Sequence, residues 1–165
     1  MNKWIIITSI YLLTNCPIVA LSGELYSPDG CDFTVEFPDK YQIKTLYLES
    51  EKTVLQASLK TKDGSRLMAE CYTSSITKDE FIVSMVQELK KRGVTVFNAQ
   101  AGSQRGIDNV VISGTLDIAD TKIFTKNISY FGDYSRLDLI QVEREISSKD
   151  SLNFRNSVRM KQRRN

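Results

Sequence analysis

The side chains that could do chemistry in this chain are three cysteines and twenty carboxylates, and no histidine stands among its 165 residues. Without histidine, the Ser-His-Asp and Cys-His arrangements in their usual form, the common zinc sites and the standard base near neutral pH are excluded. No G-x-S-x-G elbow, phosphate-binding P-loop or G-x-G-x-x-G run occurs. Carboxylate pairs remain: Asp117 with Asp120, Asp133 with Asp138 across the last turn, and Glu143 with Glu145 on one strand parity. Such pairs serve as glycosidase acid and base only at a defined separation within a cleft. A chain this rich in acids produces them by chance, so solvated strand ends are the stronger reading. Calcium binding is equally weak, since no D-x-D-x-D-G run exists. Gln100–Asp108, with Gly102, Arg105 and Gly106, reads as a polar connection before it reads as an anion cradle. The sequence therefore assigns no catalytic residue, metal or cofactor.

The cysteines say more, because the N-terminus looks like a leader. Lys3 precedes an apolar run from Trp4 to Leu13, shorter than the roughly 20 residues a membrane span needs. Ala20-Leu21-Ser22 places small residues at both outer positions of a cleavage site, which predicts a signal peptide over 1–22 and cleavage before Gly23. Leu13-Thr14-Asn15-Cys16 also resembles a bacterial lipobox, although Asn15 and Pro17 depart from it, so Cys16 is a candidate lipidation site and membrane tether. Residues 23–165 form one domain and retain Cys31 and Cys71. An even pair in an exported chain predicts a disulfide, whose loop of about 40 residues is worth roughly 4 kcal/mol on a chain-entropy argument.

Lys3 is the only charge in the leader, so residues 23–165 carry a net +1 and nothing global suggests nucleic acid. The end is locally basic (Arg155, Arg159, Lys161, Arg163, Arg164), suited to anionic head groups or an acidic partner, or simply a frayed terminus. Tyr41, Tyr47, Tyr72, Tyr130 and Tyr134 are spread over strands and turns. Amphipathic tyrosines suit both a binding surface and a core rim. Tyr72, Tyr130, Tyr134, Arg159 and Arg163 are taken as the candidate partner surface. Asn127-Ile128-Ser129 matches a glycosylation sequon but falls inside a predicted strand.

These residues need elements to position them. Ile76–Gly93 predicts the one strong helix: Thr77 and Glu80 form a capping box, and Phe81, Ile82, Met85, Val86 and Leu89 make one apolar stripe. Phe33, Val35 and Phe37 alternate in a strand stopped by Pro38. Tyr41–Glu49 has apolar residues on both parities, predicting a strand covered on both faces. Thr53–Thr61 and Ser65–Thr73 flank a turn at Lys62-Asp63-Gly64. Val94–Ala99, Asn109–Ile118, Lys122–Phe131 and Ser135–Glu143 are further strands, and a final helix runs from Ser147 or Ser148 to about Gln162. The fold class that follows is α+β, an antiparallel sheet with a central amphipathic helix and a C-terminal helix packed on it.

The F-x-V-x-F-P strand at Phe33, Val35, Phe37 and Pro38, the central helix, the long strands and the terminal helix together resemble the Mog1/PsbP-like α/β/α sandwich family. The resemblance implies an accessory role for an exported bacterial protein, binding a partner without catalysis. The function expected is thus an exported, non-catalytic binding or assembly protein of the bacterial cell envelope. A small-ligand or lipid carrier and a carboxylate-dependent envelope hydrolase are its rivals.

Overall fold

The computed structural model describes residues 23–47, 53–73, 76–144 and 148–161. The predicted leader with Cys16, the side chain of Tyr47, and Glu145, Ser147, Arg163 and Arg164 lie outside the described residues. In chain order the first elements are β1 (Glu24–Tyr26), β2 (Phe33–Phe37), β3 (Gln42–Tyr47), β4 (Thr53–Lys60), β5 (Arg66–Thr73) and α1 (Lys78–Lys91). They are followed by β6 (Thr95–Gln104), β7 (Ile107–Ile118), β8 (Thr121–Phe131), β9 (Ser135–Glu143), α2 (Lys149–Asn156) and β10 (Arg159–Met160).

Seven strands pair in the order β3-β4-β5-β9-β8-β7-β6, and three make a small sheet, β1-β2-β10. Every pairing is antiparallel: consecutive strands pair through short connections, and β9 with β5 and β10 with β2 join segments distant in the chain. The α+β class and the antiparallel sheet are therefore as the sequence reads. α1 carries the chain from β5 to the far edge at β6, and β6 to β9 then return hairpin by hairpin until β9 closes against β5. Its capping box is formed, with Thr77 and Glu80 each satisfying the other's backbone N–H. At the other end Gly93, at φ 82°, lets the amides of Gly93 and Val94 bond back to the carbonyls of Lys90 and Leu89.

The core lies between the large sheet and the small one. Phe33, Val35 and Phe37 have no exposed surface, and they face Ala57, Leu67, Ala69, Ile128, Tyr130, Leu137 and Leu139. Phe154 of α2 closes one end, its ring 4.6 Å from that of Phe37. α1 packs on the opposite face, seating Phe81 against Val110 and Ile112. Cys31 and Cys71 are bonded, with an S–S distance of 2.01 Å, so the approach to β2 is tied to β5.

Three expectations need correction. The final helix stops at Asn156, because the Ser157 hydroxyl accepts from the Glu36 amide and donates to the Glu36 carbonyl, welding the chain to β2. Val158 then turns into the core, and Arg159–Met160 pair as a strand with Thr34 and Phe33. Gln100–Asp108 is no loop: β6 continues to Gln104 and reverses through Arg105-Gly106 into β7. β6 is an edge strand whose second half is mostly exposed, so the part beyond Ala99 carries no apolar alternation to reveal it. β3 is also an edge, and Ile43 is 57% exposed, so the apolar residues on both its parities are not covered on both faces.

Candidate functional site

α1 lies over β6 and β7, so the same face of β3, β4, β5 and β9 extends beyond it. Strand register puts Gln42 and Lys44 of β3, Gln56, Ser58 and Lys60 of β4, Arg66, Met68, Glu70 and Tyr72 of β5, and Arg136 and Asp138 of β9 on this face. It divides into two zones of different chemistry.

The inner zone is buried and closed. Glu70 and Asp138 stand directly opposite one another on β5 and β9. Arg136 reaches both oxygens of Asp138, Nε to Oδ1 at 2.8 Å and Nη2 to Oδ2 at 2.9 Å. Its guanidinium is stacked between the rings of Tyr72 and Phe81, at 4.7 and 4.4 Å from their centroids. Glu70 accepts from Gln56 Nε2 on one oxygen and from the Tyr72 hydroxyl on the other. Burial raises the Asp138 carboxyl above the ordinary aspartate value, and Arg136 opposes that rise without cancelling it. Burial and the Glu70 bond raise the Tyr72 phenol in the same way. Each carboxylate oxygen already has a donor, which describes a rigid polar core more than an acid and base awaiting substrate.

The outer zone is open. Lys40, Gln42, Lys44, Gln56, Ser58, Lys60, Arg66 and Met68 line a trough of about 270 Å³ that also touches Leu59. Its four cations are exposed, and no carboxylate lines it among the described residues. Lys60 sits directly across from Arg66, and like charges in that position are destabilising. The ion pairs among the described residues use Lys78, Arg92 and Arg136, leaving the trough cations without an acidic partner there.

The structure disperses the candidate partner surface. Tyr130 is 1% exposed, its hydroxyl donating to Gln104 Oε1 at 2.9 Å and its phenol pushed up to about 12 by burial, so it belongs to the core and presents no surface. Tyr72 lies half-buried in the inner zone. Tyr134 is exposed at the β8–β9 turn, and Arg159 is exposed on β10, where it donates to the carbonyls of Asn156 and Val158. Arg163 lies outside the described residues. Asp117 is an exposed strand end, and Asp138 sits mid-strand, paired by register with Glu70 and not with Asp133. Glu70 was not singled out by sequence. Its signal, an acid in the polar alternation of β5, becomes meaningful only once β9 is known to be the neighbour.

No group of three or more His, Cys, Asp or Glu side chains able to hold a metal occurs among the described residues. No helix there is long and apolar enough to cross a membrane. No family model and no curated protein matches the sequence. Solved structures do. The solution structure of cyanobacterial PsbP (CyanoP) from Synechocystis sp. PCC 6803 is similar over 90% of this chain and 99% of its own, with a TM-score of 0.59 and 13% identity. A protein of Bacteroides thetaiotaomicron VPI-5482 is similar over 85% of this chain, with a TM-score of 0.55 and 10% identity. There the match spans about half of the longer protein, 49%. At these identities the likeness is one of fold, and it is the Mog1/PsbP-like fold that the F-x-V-x-F-P strand suggests.

Proposed function

We propose that a chain with this distant Mog1/PsbP-like fold is an exported binding protein of the bacterial envelope that docks an acidic partner protein in the basic trough. The observation that carries the reading is the trough itself: four exposed cations on one face, two of them directly opposed, with no carboxylate among its described lining residues. A sheet keeps like charges face to face at a cost to its own stability, and an acidic partner turns that cost into attraction. The predicted leader and the Cys31–Cys71 bond support an oxidising, exported setting. The closed state of the Glu70–Asp138 zone favours binding over hydrolysis.

Poly-L-glutamate and anionic phosphatidylglycerol vesicles, compared by fluorescence anisotropy and co-sedimentation, test it. The wild-type chain is expected to bind the polypeptide, more weakly as salt rises, and the triple variant Lys44→Gln, Lys60→Gln, Arg66→Gln to lose about tenfold or more. Replacing Arg159 and Lys161 by Gln leaves that affinity unchanged. Equal binding by both variants, or binding to vesicles alone, overturns the reading.

A further inference from the structure

Gly23 is the residue before β1, and the backbone leaves it no room for a side chain. A Cβ there would fall 2.4 Å from the Phe37 carbonyl oxygen, 2.6 Å from Glu36 Cγ and 2.7 Å from Glu36 Oε1. The obstruction is a main-chain atom that cannot swing aside. Only glycine allows so close an approach. The same contact fixes what lies beside the Gly23 nitrogen: with ordinary bond lengths it is within about 6 Å of Glu36 Oε1.

Gly23 and Glu36 face a cavity of about 280 Å³ whose walls include Phe37, Asn153, Arg105 and Arg159. Both arginines are turned to the end of α2. Arg105 Nη1 donates to the Asn156 carbonyl at 2.9 Å, and Arg159 Nη1 to the same oxygen at 2.7 Å. The ion pairs among the described residues do not include Glu36. A carboxylate, a cavity and an obligatory glycine therefore meet at one point. That point is where the small–x–small motif Ala20-Leu21-Ser22 predicts a cut.

We propose that the Ser22–Gly23 bond is a processing site, and that the ammonium group created on Gly23 docks beside the Glu36 carboxylate. A host signal peptidase and one water supply the step. Hydroxide adds to the Ser22 carbonyl, the C–N bond breaks, and Gly23 leaves as an amine that takes up a proton. An uncharged amide thus becomes a cation within the range of roughly 4–6 Å over which opposite charges act on each other's ionisation. Cleavage completes an ion pair that the unprocessed chain lacks.

The proposal rests on the export part of the preceding reading, and two measurements separate them. Intact mass of protein purified from a bacterial envelope is expected to begin at Gly23. On that material, reductive ¹³C-methylation of the amino terminus followed by NMR titration is expected to place it above the ordinary α-amino range of about 7.7–8.0, and within it in Glu36→Gln. The sign follows: a base whose pKa is raised by folding stabilises below its ordinary pKa and ceases to as pH rises through the folded one. Glu36→Gln therefore lowers the melting temperature at pH 6 and not at pH 10. A mass beginning at Cys16 or Met1 overturns the processing site. A mass beginning at Gly23 with the same titration in wild type and Glu36→Gln overturns the docking and leaves export standing.

Discussion

At the scale of residues, the most tightly specified side chain on the open face is Arg136. Its charge answers Asp138 and its flat faces are taken by Tyr72 and Phe81. The side chain is 12% exposed and that of Asp138 4%, so little water screens the pair. Removing one partner of a buried pair costs about 3–5 kcal/mol, because the other charge is left in a poor solvent. Arg136→Gln is expected to lose that much at pH 7 by urea denaturation. The loss should shrink toward pH 4, since Asp138 has a raised folded value relative to its ordinary 3.8 and rises further without Arg136. Protonation then relieves the folded state first, so stability recovers as pH falls through that window. A loss independent of pH would mean the arginine acts by packing alone. Sequence names Arg136's neighbourhood only in part. Asp138 is visible as an acid near a turn, but its partner Glu70 lies 68 positions away, and only the β5–β9 register joins them.

Elements are legible where burial writes a period, and obscure where it does not. The capping box, the Phe33–Val35–Phe37 strand and the Lys62-Asp63-Gly64 turn all stand as their residues suggest. The first half of β6 stands as the predicted Val94–Ala99 strand, despite a bulge between Val96 and Asn98 that leaves Phe97 63% exposed. Its second half, Gln100–Gln104, is hidden because it is a polar, mostly exposed edge. α2 is overread because Val158 and Met160 continue an apolar pattern whose actual geometry is a strand. The β7–β8 connection is a two-residue turn with Ala119 at φ 44° and Asp120 at φ 63°. The left-handed region costs an L-residue roughly 1–2 kcal/mol, and such turns prefer Asn-Gly. Ala119→Asn with Asp120→Gly is expected to raise stability by about 1 kcal/mol, read as a higher melting temperature. Unchanged or lower stability would show that Ala119 and Asp120 carry contacts beyond the turn.

For the whole molecule, α+β class and disulfide pairing were accessible from residue patterns, whereas the division into two sheets was not. It depends on β2 pairing with β1 and β10, strands of three and two residues that are too short to show a period of their own. The bond between Cys31 and Cys71 spans 40 positions, and opening it is expected to remove up to about 4 kcal/mol from a total of about 5–15. The Cys31→Ser, Cys71→Ser double variant should therefore still fold, with a lower urea midpoint. A midpoint unchanged by both substitution and reduction would contradict the chain-entropy argument. Beside the bond, Asp32 Oδ2 accepts the amides of Tyr134 and Ser135 at 2.8 and 2.9 Å, holding the β8–β9 turn to the same corner without a covalent link.

The small sheet has a mechanical consequence. β1 begins opposite Phe37 and β10 ends opposite Phe33, so the two run parallel on either side of β2. Tension applied between Glu24 and Met160 draws them along β2 in opposite directions. Their hydrogen bonds share the load in shear instead of opening one row at a time. Cys31, just ahead of β2, passes part of that load covalently to β5, inside the seven-stranded sheet. A tether at either end of this domain would pull against a clasp, one that yields to peeling at β10 before it yields to stretching.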